Sequence, residues 1–151
     1  MTRLNIGCGK DTRAGYTNID IRKLGNVDTV QDIWLLKFEP NSIEEILAND
    51  IIEHFPQSQV QILLSRFNQW LIPGGKLLIR VPNMVTLAQS LVKEDRSEAC
   101  IQRIYGGQQY PENFHKSGFT KNMMKGLLVE FSSIKFCDDD VQWNMEIEAI
   151  K

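Results

Sequence analysis

No apolar run in this 151-residue sequence approaches the roughly 20 residues that a helix needs to cross a bilayer. A single early Arg3 precedes strand-like sequence, which does not resemble a signal peptide. The formal net charge is −2, and no long basic block is present. The molecule as a whole is therefore not built to attract nucleic acid or an anionic membrane. We expect no membrane partner and find no clear nucleic-acid signature.

Paired cysteines are also missing, because the three that occur are far apart: Cys8, Cys100 and Cys137. They match neither a zinc spacing nor a disulfide framework, so a reducing, cytoplasmic location is expected. Cys8 lies between two glycines, where a small packed side chain is favoured over a nucleophile. The three acids at 138–140 indicate a solvated turn, since no histidine or spaced acid accompanies them. No metal site is predicted.

Strand-like segments alternate with helical periodicity in the first half of the chain. Four early strands are predicted, RLNI, YTNIDI, VDTVQDI and IEEILAND, and KLLIRVP is a fifth. Between the last two, a helix starts near Pro56, where a first-turn proline is tolerated, and stops at IPGG. Its apolar residues are three and four positions apart: Val60, Leu63, Leu64, Phe67 and Leu71.

The second half continues with a helical pattern over 85–104, broken near 94–97. The loop YGGQQYPENFHKSGF follows, and its length is typical of a functional segment. Thr120 is a candidate N-cap for the helix KNMMKGLLVEF. Two closing strands, SSIKFCD and WNMEIEAI, predict an antiparallel hairpin. Because no repeat, linker or boundary is present, residues 1–151 are predicted to form one domain.

These elements predict an open α/β sheet, mostly parallel, with a C-terminal antiparallel hairpin and helices on both faces. So few residues separate the first two strands that the first crossover helix must be short or missing. In such sheets ligands bind beyond the carboxyl ends of the strands. The residues that follow each strand are therefore the candidates for chemistry.

Three strand ends carry residues that suit a nucleoside. Gly7 and Gly9 follow the first strand, and without Cβ atoms they let the backbone turn sharply and approach a ligand. Asp20 ends the second strand, where an acid accepts hydrogen bonds from both hydroxyls of a ribose. Asp32 and Ile33 follow the third strand and suit the amino group and the face of an adenine ring.

The dinucleotide-binding fingerprint is incomplete. Asp11 stands in place of its third glycine, and Asp20 lies closer to the glycines than a dinucleotide fold expects. A pyrophosphate on a helix N-terminus is disfavoured, because Asp11 would repel it and the helix is short or missing. The sequence thus predicts a nucleoside without phosphates, and a dinucleotide oxidoreductase is disfavoured.

LNIGCG, GYTNIDI, QDI, ANDIIEHF, LIPGGKLLIRVPN and the loop with Asn and His resemble class I S-adenosylmethionine-dependent methyltransferases. The likeness covers nearly the whole chain and is greatest to the small bacterial and phage group related to methyltransferase type 11 domains. It implies a Rossmann-like, seven-stranded sheet with one reversed strand. It also implies S-adenosyl-L-methionine as the cofactor, S-adenosyl-L-homocysteine as the product, and a small-molecule or sugar-like acceptor.

The resemblance implies roles in cofactor binding for eight residues. The glycine turn would border the methionine and ribose portions of the cofactor, and the acid at the end of the second strand would hold the ribose hydroxyls. The residue after that acid and the two residues after the third strand would line the adenine pocket. The residue at the end of the fourth strand would reach the methionine amino group. These residues are Gly7, Cys8, Gly9, Asp20, Ile21, Asp32, Ile33 and Asn49.

Three departures from the family pattern stand out. Asn5 occupies a place where many members have an acid, and Asp11 replaces a common glycine. The family's segment before the first strand, which often forms a lid or a substrate-binding helix, is lacking. We therefore expect a pocket that is open, shallow or completed by another chain, and a homodimer is one such arrangement.

Methyl transfer needs in-line placement and sometimes a base that takes the acceptor's proton. Glu53, His54 and His115 are the candidate catalytic residues, since an unperturbed histidine titrates near neutral pH. The alternative for the sequence EHF is that it simply begins a helix, with Glu53 near the positive N-terminus.

Two other functions stay open at this point. One is a catalytically silent module that keeps an S-adenosylmethionine or nucleoside pocket. The other is an S-adenosylmethionine-using enzyme of another reaction type, such as aminopropyl transfer or cleavage of the cofactor.

Overall fold

The structure is a computed structural model that describes residues 2–93, 97–137 and 143–151. Its strands form one sheet: β1 (Thr2–Ile6), β2 (Thr17–Asp20), β3 (Thr29–Val30), β4 (Ile43–Asn49), β5 (Leu71–Pro82), β6 (Ser133–Cys137) and β7 (Asn144–Ile150). The strand order is β3-β2-β1-β4-β5-β7-β6. The first five strands are parallel, and β7 pairs antiparallel with both β5 and β6. The predicted α/β class, mostly parallel with a C-terminal antiparallel pair, is confirmed.

The described residues contain four α-helices: α1 (Gln57–Trp70), α2 (Met84–Val92), α3 (Ser97–Tyr105) and α4 (Lys121–Leu127). Three 3₁₀ turns accompany them at Ile33–Leu35, Ile52–His54 and Pro111–Asn113. No helix lies between β1 and β2, where all residues are described, so the first crossover helix is missing. None of the described helices is long and apolar enough to cross a lipid bilayer.

Helix α1 forms as its apolar spacing predicts. Pro56 is the residue before its first turn, and the helix ends at Trp70. Leu71, which the spacing assigned to the helix face, instead begins β5 directly. The buried stripe of α1 consists of Val60, Leu63, Leu64, Phe67 and Trp70.

The core lies against one face of the sheet. Along each central strand the residues of the core cluster alternate, as they do on one side of a pleated strand. Helix α1 packs on this face, and the residues of α4 and its C-terminal turn join the same cluster through Met124 and Leu128. The strand residues of the cluster are Leu4, Ile6, Ile19, Ile43, Ile46, Ala48, Leu71, Leu77, Ile79, Val81, Met145, Ile147, Ala149.

The opposite face carries polar residues. Asn5 pairs in register with Asn18 and Leu47, and a neighbouring row carries Glu45. The loop after β1 lies across part of this face, since the Tyr16 hydroxyl donates a hydrogen bond to Glu45. Helical cover of this second face stays a prediction.

Two further sequence-based boundaries differ from the structure, and two predicted features fall outside it. The third strand is only two residues long, because Asp32 caps the turn that follows by accepting a hydrogen bond from the backbone N–H of Trp34. Helix α4 stops at Leu127, although the pattern extended to Phe131. The acidic turn at 138–140 and most of the expected break at 94–97 lie outside the described residues.

The chain leaves the sheet after Asn83 and comes back beside Asn83 at Phe119. We call the described residues between these two positions, 84–93 and 97–118, the excursion. Asn83, just after β5, forms a parallel bridge with Phe119, and Met84 N donates to Phe119 O at 3.0 Å. The N–H groups of Lys116 and Ser117 both donate to the carbonyl of Glu53. The excursion is thereby attached to the sheet at its ends and to the turn after β4.

Candidate functional site

A cavity of about 780 Å³ opens beyond the carboxyl ends of β1, β2 and β4. Its floor comes from the strand exits, and the excursion supplies the opposite wall through α3 and the loop after it. The strand-exit and turn residues that line it include Ile6, Gly7, Ile19, Asp20, Ile21, Arg22, Gln31, Asp32, Ile33, Trp34, Asp50, Ile51, Glu53 and His54. This is the location that the parallel sheet predicts for a ligand.

The turn after β1 depends on its glycines. Gly7 and Gly9 both have a positive φ, of 66° and 54°, which L side chains rarely adopt. A Cβ on Gly7 would lie 2.6 Å from Cδ1 of Ile51. Gly7 lines the cavity, whereas Gly9 donates its N–H to Oδ2 of Asp20 at 2.8 Å. Gly7 therefore forms part of the cavity wall, whereas Gly9 orients Asp20.

Asp20 is a buried carboxylate at the mouth of β2. Arg22 donates to Oδ1 from its backbone N at 2.8 Å and from Nε at 3.0 Å. Burial opposes ionisation of Asp20, but the hydrogen bonds from Arg22 and Gly9 outweigh it and hold its pKa below the usual range. An ionised acceptor thus faces the cavity beside the glycine turn.

Arg22 connects this carboxylate to the excursion. Its guanidinium carbon lies 4.4 Å from the ring centroid of Tyr110, a cation–π distance. Burial raises the pKa of the Tyr110 hydroxyl. Arg22 and Tyr110 together close one side of the cavity over Asp20.

An apolar corner follows β3. Ile33 is buried and Ile21 is largely exposed, and both line the cavity. Oδ1 of Asp32 accepts from Trp34 N at 2.9 Å. The edge of Trp34 meets the ring of Phe55 with 5.7 Å between centroids, which stabilises this corner.

The exit of β4 places two neighbouring side chains differently. Asn49 pairs in register with Arg80, and Asp50 accepts hydrogen bonds from the Arg80 guanidinium. Asp50 has a positive φ of 51° and lines the cavity, whereas Asn49 is not among the lining residues.

Glu53, His54 and His115 come together at the junction between the turn after β4 and the excursion. Nε2 of His115 lies 4.0 Å from Oε1 of Glu53, and the two imidazole centroids are 4.8 Å apart. The candidate ligand atoms of all three side chains lie within 4.8 Å of one another. Both histidines of the chain are thus in this cluster.

The cluster is held in an uncharged state by its surroundings. Burial raises the pKa of Glu53 to about 8. Burial lowers the pKa of His54, and the neighbouring His115 lowers it further. Burial also lowers the pKa of His115, although hydrogen bonds to the backbone at Arg103 and Ile104 oppose the shift. At neutral pH the two imidazoles therefore carry free lone pairs.

Cys8 is buried in the glycine turn and is not among the cavity-lining residues. Burial, reinforced by the charge of Asp20, raises the pKa of its thiol to about 11. A thiol in this state is a poor nucleophile at neutral pH.

Five of the eight predicted cofactor residues line the cavity, together with all three catalytic candidates; Cys8, Gly9 and Asn49 do not. Arg22 and Asp50 lie in the strand-end segments that the sequence selects, but sequence reasoning gave neither residue a role. Sequence reasoning missed Gln102 and Arg103 of α3, because no local pattern shows that this helix folds back over the strand ends.

Two departures from the family pattern have structural explanations. Nδ2 of Asn5 donates to Asp11 O at 2.7 Å and to Asn18 Oδ1 at 3.1 Å, which a carboxylate could not do. The Asp11 side chain pairs with Arg13 in solvent, and Asp11 is not a lining residue.

No protein-family model and no curated protein matches the sequence, but solved structures share its fold. A SAM-dependent methyltransferase from Archaeoglobus fulgidus aligns with 18% identity and a TM-score of 0.71 over 99% of this chain and 86% of its own. The 1,6-didemethyltoxoflavin-N1-methyltransferase from Burkholderia thailandensis, solved with bound 1,6-didemethyltoxoflavin and S-adenosylhomocysteine, aligns with 14% identity and a TM-score of 0.64 over 99% of this chain and 70% of its own.

A possible exported protein from Bordetella parapertussis aligns with 19% identity and a TM-score of 0.67 over 99% of this chain. The chain spans only 61% of the length of that protein. At these identities the likeness is one of fold.

Proposed function

We propose that this chain, which has the fold of SAM-dependent methyltransferases, binds S-adenosyl-L-methionine in the cavity and transfers its methyl group to a small-molecule or sugar-like acceptor. The observation that carries the proposal is the ionised carboxylate of Asp20, buried at the end of β2 and oriented toward the cavity by the glycine turn. Residues 1–151 would act as one cofactor-binding domain.

The residues present suit this cofactor. Asp20 is an ionised acceptor for two ribose hydroxyls. When the hydroxyls bind, the Arg22 side chain would give up part of its hydrogen bonding to the Asp20 carboxylate. Ile21 and Ile33 offer apolar surface for adenine. Asp32 has one carboxylate oxygen besides the one that accepts from Trp34 N, and this oxygen suits the adenine amino group.

The methionine end of the cofactor would lie near the first and fourth strands. Gly7 lines this part of the cavity and lets Ile51 pack against the turn, while Cys8 and Gly9 shape the turn from behind. Asn49 and the adjacent lining residue Asp50 are the proposed partners of its amino group. When bound, the cofactor supplies an electrophilic methyl group on a sulfonium.

Proton handling is proposed for Glu53, His54 and His115. Their position in the same cavity allows them to face an acceptor. Nε2 of His54 is free to accept, since its Nδ1 donates to Phe114 O at 3.2 Å. The homodimer and the cytoplasmic location expected from the sequence stay predictions.

Calorimetric titration with S-adenosyl-L-homocysteine tests the proposal, with NAD and ATP as controls. We expect selective binding of about −8 kcal/mol, which is micromolar affinity. Folded protein that binds none of the three would end the proposal. With acceptor mixtures and S-adenosyl-L-methionine, formation of S-adenosyl-L-homocysteine would distinguish methyl transfer from aminopropyl transfer and from cofactor cleavage.

A further inference from the structure

The cluster of Glu53, His54 and His115 joins two distant parts of the chain. The first two residues form the 3₁₀ turn after β4, and the third lies in the loop after α3. The N–H groups of Lys116 and Ser117 bind the Glu53 carbonyl, so backbone hydrogen bonds hold the two segments together. Of the three side chains, that of His54 adds a bond from Nδ1 to the carbonyl of Phe114. The Glu53 carboxylate is not needed to hold this junction together.

Glu53 is the observation that points to a ligand. Its side chain is 1% exposed, and neither carboxylate oxygen has a hydrogen-bond partner among the described residues. A buried carboxyl group without partners is costly and rare in folded proteins. Nε2 of His115 lies 4.0 Å from Oε1 of Glu53, which is beyond hydrogen-bond distance.

One imidazole is oriented by its outer nitrogen atom, since Nδ1 of His54 lies 3.2 Å from the carbonyl of Phe114. The ring of His115 lies close enough to the backbone at Arg103 and Ile104 for these groups to influence its pKa. Metal-ligating histidines are typically held by such a hydrogen bond from the nitrogen that does not bind the metal. The bond fixes the tautomer and leaves the other lone pair available.

We propose that Glu53, His54 and His115 bind one divalent transition-metal ion. Two imidazoles and one carboxylate are a ligand set that suits zinc and its neighbours in the first transition row. Ligand atoms about 2.1 Å from one ion lie roughly 3–3.5 Å apart, so the 4.0 Å pair must close by up to about 1 Å and a pair at the 4.8 Å limit by about 1.3–1.8 Å.

Asp50 is not part of this set. Its carboxylate is held by the guanidinium of Arg80, although it lies close enough to influence Glu53 electrostatically. With three protein ligands the ion keeps open positions. The three side chains line the cavity, so these positions would be open to a ligand there.

The consequence for the substrate rests on the proposed function. An ion with open positions in the cavity binds an oxygen donor and makes its proton more acidic. The acceptor class that fits such a site is a hydroxyl compound, because its oxygen can occupy an open position. The cluster would then position the acceptor, with the cofactor held at the other end of the cavity.

Metal binding can be measured without any activity. The full chain is dialysed against a chelator and titrated with Co²⁺ and with Zn²⁺, with the absorption spectrum and calorimetry as readouts. We expect one ion per chain at micromolar affinity. Glu53→Gln and His115→Gln should each weaken binding at least about tenfold. Glu112→Gln, an exposed acid that lines the same cavity, is the matched control and should bind as the parent does.

Circular dichroism establishes that each variant is folded. Absence of saturable binding in the parent chain, or undiminished binding in folded Glu53→Gln and His115→Gln, would overturn the proposal. Titration of the metal-free chain with S-adenosyl-L-homocysteine keeps the two proposals apart. If the chain binds metal but not S-adenosyl-L-homocysteine, the methyltransferase proposal is wrong and the metal site stands. If it binds S-adenosyl-L-homocysteine but no metal, only the metal site is wrong.

Discussion

The backbone N–H of Gly9 donates to Oδ2 of Asp20 at 2.8 Å, so the turn after β1 orients the carboxylate at the end of β2. The second glycine of the motif therefore orients the acid of the proposed ribose site and does not line the cavity itself. Any change in the turn is expected to alter the position of Asp20 and, through it, the proposed ribose site.

Replacing Asp20 tests the ribose site. Asp20→Ala removes two charge-assisted hydrogen bonds and should weaken S-adenosyl-L-homocysteine binding by about 2–4 kcal/mol, or roughly 30- to 1,000-fold. Calorimetry gives the affinity directly. Asp11→Asn, an exposed change in the same loop, serves as the control and should leave affinity unaltered. Equal affinity of Asp20→Ala and the parent would place the ribose elsewhere.

Replacing Asn5 tests the anchor of the loop after β1. Asn5→Asp puts a carboxylate in front of Asn18 Oδ1 and Asp11 O, both of which are acceptors. We expect the free energy of unfolding to fall by about 1–3 kcal/mol, measured by urea denaturation. Asn26→Asp makes the same chemical change at an exposed position and should cost little. A similar loss in both variants would mean that the Asn5 amide is not needed as a donor.

The thiol of Cys8 should react slowly. Its pKa of about 11 leaves roughly one thiolate in a thousand at pH 8. Alkylation with iodoacetamide, followed by mass spectrometry, should label Cys8 more slowly than the less buried Cys137. The Cys8 rate should rise about tenfold per pH unit up to pH 10. A rate that levels off near pH 8 would contradict the assigned pKa.

Glu53 should make the metal-free protein less stable as pH rises. Its pKa is about 8 in the folded chain and about 4.3 when unfolded. Between these values the folded state holds a proton that the unfolded state has lost, so stability is full below about pH 4.3 and declines until about pH 8. Urea denaturation across this range, with a chelator present, should show a steeper decline for the parent than for Glu53→Gln. Parallel curves would mean that Glu53 is already ionised in the folded protein.

Local patterns were sufficient for most of the fold. The spacing of Val60, Leu63 and Phe67 predicts α1, because a helix must bury one face. The end of α4 was predicted too late, since Phe131 joins the core from a turn after the helix rather than from the helix itself. Apolar spacing indicates which residues are buried, but a residue such as Phe131 can be buried after the helix has ended.

The site was predictable only where it depends on strand ends. Asp20 and Asp32 could be selected because parallel strands bring their carboxyl ends to one edge. The contact between Arg22 and Tyr110, and that between Glu53 and His115, could not, since each joins segments more than 60 positions apart. These contacts depend on how the excursion folds back, which no short motif specifies.

The paired ends of the excursion have a consequence for how such a protein can diversify. Because Asn83 and Phe119 lie side by side, the sheet makes the same connections whatever the length of chain between them. The entropy of closing such a loop grows slowly with its length, so insertions and exchanges there cost the sheet little. The segment that forms one wall of the cavity can therefore be exchanged without changing the sheet. Grafting residues 84–118 between proteins of this fold would then change which molecules enter the cavity and leave the strand-end residues in place.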